Sequence, residues 1–370
     1  LFTKVTEESA EESPRRLTFA DFADLFERET MERVPGGTRG AANVYRSDST
    51  QASLQTGAPG FLELVEGTLL SAVVPRTNLV QRVRERADSL PLSALVGSSG
   101  MGKSTLAMLS AEEGGWYLIN FQGKDSGQIQ RLLNQATLRL ADVPDGSTVL
   151  LDNLNFEGSV EEYVEAFRKL ITAAWEQAIH IVVTTQNPIP SRIKALIQTD
   201  PEKIGIPVPP FDEEEVKALL EEYGCPEAIR EAWSTATMAQ TSGHPQLADA
   251  YVAAASQPHW QEPSERDLFE DPAPIEQVKK EARQKLRRGL PENSLVLARR
   301  LTLLSHPFTR EHALKIAEIP PPIPTAGTDF DFLVGPWIEP LPANHFRISP
   351  LLSNLYNDTL SEDEQHKLRY

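Results

Sequence analysis

Apolar residues come in two rhythms along this chain, and the rhythms alternate. Short, nearly continuous runs occur at Leu92–Val96 (LSALV), Trp116–Phe121 (WYLINF), Thr148–Asp152 (TVLLD) and Ile181–Thr185 (IVVTT). Runs of that length suit strands buried on both faces. Between them the apolar positions fall at helical spacing. Asn78–Ser89 carries Leu79, Val80 and Val83, and Gln128–Leu140 carries Ile129, Leu132, Leu133, Leu138 and Leu140. Val160–Trp175 places Val160, Val164, Phe167, Leu170, Ile171 and Ala174 on one stripe. Ile204–Val208 reads as a fifth strand, and Pro207 pushes it toward a sheet edge. Phe61–Val74 is apolar around Gly67 and allows short strands. This alternation predicts an α/β core over 61–210, a parallel sheet sandwiched by helices. A ligand is expected at the carboxyl ends of its strands.

The pattern changes on either side of that core. Residues 1–60 hold an acidic stretch, Glu7–Pro14, and one helical pattern over Leu17–Met31 with Phe19, Phe22, Leu25 and Phe26. Pro35–Pro59 is rich in Gly, Ser and Thr, so 1–60 reads as a mostly flexible segment with one docked helix. After the core, Asp212 and Glu215 form a capping-box pattern that opens an all-helical region, 211–259. It is broken at Gly224-Cys225-Pro226 and at Gly243-His244-Pro245. The acidic stretch 260–274, with Pro263, Pro272 and Pro274, reads as a linker. Helical patterns follow at Ile275–Leu286, Ser294–Leu304 and Thr309–Ile316, the last capped by Thr309. Two short apolar runs, Trp337–Leu341 and Phe346–Ser349, flank Pro342–His345 and predict a β-hairpin. Helices followed by a hairpin give 275–360 the layout of a winged-helix domain. A further helix begins over 361–370. The first residue is Leu1 and the chain ends inside that helical pattern, so the sequence is expected to be a piece of a longer protein.

The chemistry concentrates at Gly97–Thr105, GSSGMGKST, which fits the pattern G-x-x-x-x-G-K-[S/T]. It follows the strand LSALV and precedes a helix-compatible stretch, the order a phosphate-binding loop requires. Glycine lets the backbone wrap closely, so the N–H groups of Gly97, Ser98, Ser99, Gly100, Met101 and Gly102 can face phosphate oxygens. The helix starting at the lysine adds the positive end of its dipole. Lys103 would reach the β- and γ-phosphates, and Ser104, followed by Thr105, would offer a hydroxyl to Mg²⁺. Such an ion also takes a carboxylate, and Asp152 ends an apolar strand about 50 residues after the lysine, at the distance that one helix and one strand need. The polar end of IVVTT, Thr184 to Asn187, would face the γ-phosphate if that strand lies beside the loop. Hydrolysis needs a group that orients or deprotonates water. Asn153 and Asn155 follow Asp152, and an amide can orient water but cannot accept a proton. Binding is therefore better supported than fast turnover.

Composition narrows the partners. The 370 residues suffice for two or three domains, and the net charge of −17 argues against a general nucleic-acid binder. The single cysteine, Cys225, excludes an internal disulfide and a cysteine metal cluster, and a reducing, cytoplasmic setting is expected. No apolar run approaches the ~20 residues of a membrane helix.

Taken together these motifs resemble the STAND class of P-loop NTPases, the relatives of AAA+ ATPases that include NB-ARC and NACHT modules. Pro75 and Arg76 sit where the family carries a segment touching adenine. GSSGMGKST resembles its Walker A loop and TVLLD its Walker B strand. IVVTTQ resembles its sensor strand, which gives Gln186 the sensor position, and TSGHPQLADA resembles its lid motif, with His244 and Pro245 near the adenine. FRISPLLSNLY resembles the end of its winged-helix domain. The resemblance implies a helical lid over 211–259, bound ATP or ADP with Mg²⁺, and catalytic positions at Lys103, Asp152 and Gln186. It further implies a switch that self-associates on activation, answers a protein trigger and drives an attached effector, in relatives often an antiviral one. The departures are Gln186 for the sensor arginine, with Arg192 a possible substitute, Asn153, Asn155 and Phe156 for the hydrolytic acids, and Ser349 where many relatives place a histidine. All of them touch hydrolysis or nucleotide sensing. The competing readings are a DNA-binding AAA+ protein that uses Arg310, His312 and Lys315 of Thr309–Ile316, and a scaffold whose nucleotide is structural.

Overall fold

The computed structural model describes residues 54–57, 62–65 and 74–355, apart from 112–115, 157–159, 188, 196–203, 258, 265–266, 268–271, 305 and 354. The helix expected at Leu17–Met31 and the one beginning at Ser361 lie outside the described residues, as do residues 58–61 and 66–73 of the first apolar stretch.

The core follows from the alternation of strands and helices. Two short strands come first, β1 (Leu54–Gly57) and β2 (Leu62–Val65). Helix α1 (Thr77–Ser89), β3 (Leu92–Val96), α2 (Lys103–Ser110) and β4 (Trp116–Asn120) follow. Then come α3 (Ser126–Arg139), β5 (Thr148–Asp152), α4 (Val160–Glu176), β6 (His180–Thr185), the one-turn α5 (Ser191–Lys194) and β7 (Gly205–Pro207). The sheet order is β1-β2-β4-β5-β6-β3-β7. The five strands from β4 to β7 are parallel, and β1 and β2 add an antiparallel edge beyond β4.

Strand period explains the two-sided core. Val149 and Leu151 of β5, with Ile181 and Val183 of β6, face Leu133 of α3 and Phe167 and Leu170 of α4. The intervening Leu150 and Val182 face Val83 of α1 and Leu106 of α2. All are fully buried, and each such side chain contributes on the order of 2 kcal/mol. The register pairs Ala94 with Val183 and Val96 with Thr185, so the end of β3 meets the end of β6. Asp125 caps α3 in a capping box with Gln128, which sets its start.

Beyond β7, Asp212 and Glu215 form the anticipated capping box at the start of α6 (Glu213–Glu222). Helices α7 (Glu227–Thr241), α8 (Pro245–Ala255) and α9 (Ala273–Gly289) share a third apolar cluster with α6. Gly243 (φ 70°) turns the chain between α7 and α8. The acidic stretch after α8 is docked at its start: the Trp260 ring meets Trp233 edge-on at 5.6 Å, and Trp233 Nε1 donates to the Gln261 carbonyl at 2.7 Å. A fourth cluster gathers α10 (Glu292–Leu301), α11 (Arg310–Ala317), α12 (Ala326–Leu333) and a three-stranded antiparallel sheet. That sheet has β8 (Phe308–Thr309), β10 (His345–Ile348) and β9 (Ile338–Leu341) in this order. Thr309 caps α11 by accepting from the His312 amide. Helix α12 has no counterpart among the sequence expectations. Its buried Asp329 breaks the apolar stripe and accepts from Ser294 Oγ (2.5 Å) and Thr325 Oγ1 (2.6 Å).

Candidate functional site

The loop between β3 and α2 sits at the carboxyl end of the sheet, where β3 lies between β6 and β7. Gly100 (φ 75°) and Gly102 (φ 77°) take the left-handed conformation that lets the chain wrap. Four successive carbonyls of the loop are held by donors. Lys103 Nζ donates to Gly97 O and Ser98 O, both at 2.8 Å. His244 Nε2 lies 3.0 Å from Ser99 O, and since a carbonyl can only accept, that nitrogen carries the proton. The Gln246 backbone N–H, at the start of α8, donates to Gly100 O at 3.3 Å. A Cβ on Gly100 would lie 2.4 Å from Gln246 Oε1 and 2.7 Å from His244 Cε1, so α8 can approach this closely only over a glycine.

Lys103 is 6% exposed. Burial lowers its pKa from 10.5 to about 8, against the opposing pull of Asp152. An ammonium bonded only to backbone carbonyls keeps most of its desolvation cost, which an anion in the loop would offset. Asp152, also buried, accepts from Ser104 Oγ (2.7 Å) and Thr184 Oγ1 (2.6 Å) on Oδ1 and from Asn153 Nδ2 (2.8 Å) on Oδ2. Ser104 and Asp152 thus present two hard oxygen ligands side by side, a set that fits Mg²⁺. Among the described residues no group of three His, Cys, Asp or Glu side chains could hold a metal ion, so phosphate and water would complete the shell.

The other candidates fall around this center in different roles. Met101 is buried in the apolar cluster between sheet, α1 and α2, so it can offer the ligand only its backbone. The Gln186 backbone N–H donates to Asn155 Oδ1 (2.9 Å), which ties the end of β6 to the turn after Asp152. Arg192 forms an exposed ion pair with Glu161 at 3.3 Å instead of standing in for a sensor arginine. Arg76 lies under the ring of Phe211 (5.2 Å) and pairs with Glu215 at 2.9 Å, so it clamps α1 to the start of α6, while Pro75 beside it is exposed. His244 is 1% exposed, its Nδ1 has no partner, and burial lowers its pKa while the charge of Glu339 opposes the shift. Pro245 is buried at the first position of α8. Ser349 is buried with its hydroxyl unpartnered.

Sequence reasoning missed the groups that reach the loop from the end of the chain. Glu339 on β9 accepts from Ser98 Oγ at 2.8 Å and from Arg347 Nε at 2.6 Å. Gly335 (φ 102°) lies against the residues that follow β6, where a Cβ would stand 2.5 Å from Gln186 O. The hairpin pattern could have paired Glu339 with Arg347, which are directly opposite in the register. Nothing local could have paired it with Ser98, 241 residues away.

The strand order, the loop after β3 and the Ser104–Asp152 pair together define a P-loop NTPase fold. No family model and no curated protein matches the chain. Among solved structures it is similar to a Walker-type ATPase of Pyrococcus abyssi, with 17% identity over 80% of this chain and 95% of that one and a TM-score of 0.49. It is also similar to a structure of katanin self-assembly (14% identity, 50% and 71% covered, TM-score 0.38). A third is a RuvB mutant of Thermotoga maritima (13% identity, 80% and 93% covered, TM-score 0.36). Likeness at these identities concerns the fold alone.

Proposed function

We propose that this chain is a nucleotide-dependent switch of the STAND type. It binds ATP or ADP with Mg²⁺, and the nucleotide biases how its helical and C-terminal units sit on the sheet. The observation that carries this reading is the double hold on one loop. Ser99 and Gly100 are bonded by the start of α8, and Ser98 by Glu339 of the C-terminal sheet. A ligand that reshapes the loop must therefore act on both units at once, which is the condition for a population shift. In this reading α6 to α8 form a lid, and the helices and sheet after residue 275 form a winged-helix domain.

Within the site Lys103 leaves the carbonyls of Gly97 and Ser98 for the β- and γ-phosphates. Ser104 and Asp152 hold the ion, which neutralises phosphate charge when bound. His244 and the Gln246 backbone N–H keep the carbonyls of Ser99 and Gly100 turned away from the ligand. Asn153 and Asn155 can orient water but cannot take its proton, so hydrolysis is slow and the chain serves as a timer more than as an engine. Opening then permits self-association and drives an effector attached to this chain, with antiviral defence the role suggested by the resemblance. The DNA-binding reading gains nothing from α11, where Arg310 pairs with Asp331 and Lys315 with Glu311, a mixed surface with no basic excess.

The test is nucleotide analysis of denatured, freshly purified protein. The expected result is close to one ADP or ATP per chain in the wild type and none in Lys103→Ala. A wild-type site that is empty and takes up no added Mg-ATP would falsify the proposal.

A further inference from the structure

Glu339 puts a buried negative charge at the mouth of a loop built for anions. Its side chain is 9% exposed, and its two oxygens are used, one by Ser98 Oγ and one by Arg347 Nε. Ser98 is the residue both ends of the arrangement share. Its hydroxyl meets the carboxylate, and its carbonyl meets Lys103 Nζ at 2.8 Å. Lys103 must leave that carbonyl to reach phosphate. A phosphate drawn to Lys103 therefore arrives beside a carboxylate whose one ion-pair partner among the described residues is Arg347, and that side chain is 29% exposed. Like charges in a partly dry site repel far more strongly than in water, and the repulsion grows with each phosphate added.

We infer that Glu339 is a specificity-determining residue that ranks nucleotides by phosphate number. With the C-terminal hairpin seated, it favours the diphosphate over the triphosphate. A triphosphate is accommodated fully only when the Glu339–Ser98 bond breaks, and this lifts β9 and the Gly335 turn off the sensor strand. The inference rests on the proposed nucleotide binding. It adds that discrimination comes from the C-terminal sheet and not from the loop alone. Arg347 sets how strongly the carboxylate repels, so the two residues act with opposite sign.

Calorimetric titration of the chain with adenosine, Mg-ADP and Mg-ATP tests this. Glu339→Gln keeps an acceptor for Ser98 and removes the charge. It is expected to tighten Mg-ATP relative to Mg-ADP by about tenfold and to leave adenosine unchanged, the pattern of a removed charge. Arg347→Gln, which removes the neutralising partner, is expected to shift the same ratio the other way by about threefold or more. A merely structural salt bridge would move both variants in one direction and would move adenosine with them. An ATP-to-ADP ratio unchanged in both variants, or a common shift for all three ligands, overturns the inference while nucleotide binding stands. Failure of the wild type to bind ADP and ATP sinks both.

Discussion

The lysine of the phosphate loop should leave a signature in the unliganded protein. Lys103 is buried with a pKa near 8, against 10.5 for a free lysine. A base whose folded pKa is depressed costs stability wherever the unfolded chain keeps it protonated. The unfolded chain binds the extra proton between pH 8 and 10.5, so stability contributed by this group rises with pH across that window. By linkage the gain relative to pH 7 is on the order of 1 kcal/mol at pH 9 and roughly 2 to 3 kcal/mol at pH 10. Lys103→Met removes the titration and keeps an apolar stem in place. Urea unfolding of wild type and variant at pH 7, 9 and 10, without nucleotide, isolates Lys103 because all other groups cancel in the difference. The wild type should gain on the variant by those amounts. A difference that stays constant with pH within about 0.5 kcal/mol would refute the burial argument. Saturating Mg-ATP should abolish the gain, because phosphate pairs the ammonium and restores its proton.

Two further outcomes follow from the geometry. Gly335→Ala puts a methyl 2.5 Å from Gln186 O at φ 102°, and thermal unfolding should show a loss of about 2 kcal/mol together with faster hydrogen exchange in β9; a loss under about 0.5 kcal/mol would mean the hairpin does not bear on the end of β6. Steady-state turnover of ATP should stay below about one per second, at the slow edge of enzyme rates, and faster release of phosphate would show that Asn153 and Asn155 do not limit the chemistry.

The sheet was legible because its strands are buried on both faces. LSALV, TVLLD and IVVTT are apolar runs that water cannot share, and each became a strand. The loop was legible because phosphate binding imposes a fixed spacing on glycine, lysine and hydroxyl. The capping boxes at Asp125 and Asp212 have the same form, with the closing residue three positions on and the first buried apolar residue, Ile129 or Val216, four positions on, yet only the second stood out. Helix α12 was not legible, since Asp329 satisfies its carboxylate within the core and so disrupts the pattern. The grip of Glu339 on Ser98 was not legible either. It joins residues 241 apart through two separately folded surfaces, and no local periodicity encodes which surfaces meet. His244 shows the intermediate case. The break at Gly243-His244-Pro245 was visible, but its hydrogen bond to Ser99 depends on α8 docking over Gly100.

The central claim is that nucleotide state sets the arrangement of the units around the loop. Small-angle scattering of the chain with Mg-ADP and with a non-hydrolysable Mg-ATP analogue tests it most directly. A compact particle with ADP, a larger radius of gyration or a higher oligomer with the analogue, and no response in Lys103→Ala are the predicted results. Identical profiles in both nucleotides, with both bound, would contradict the account.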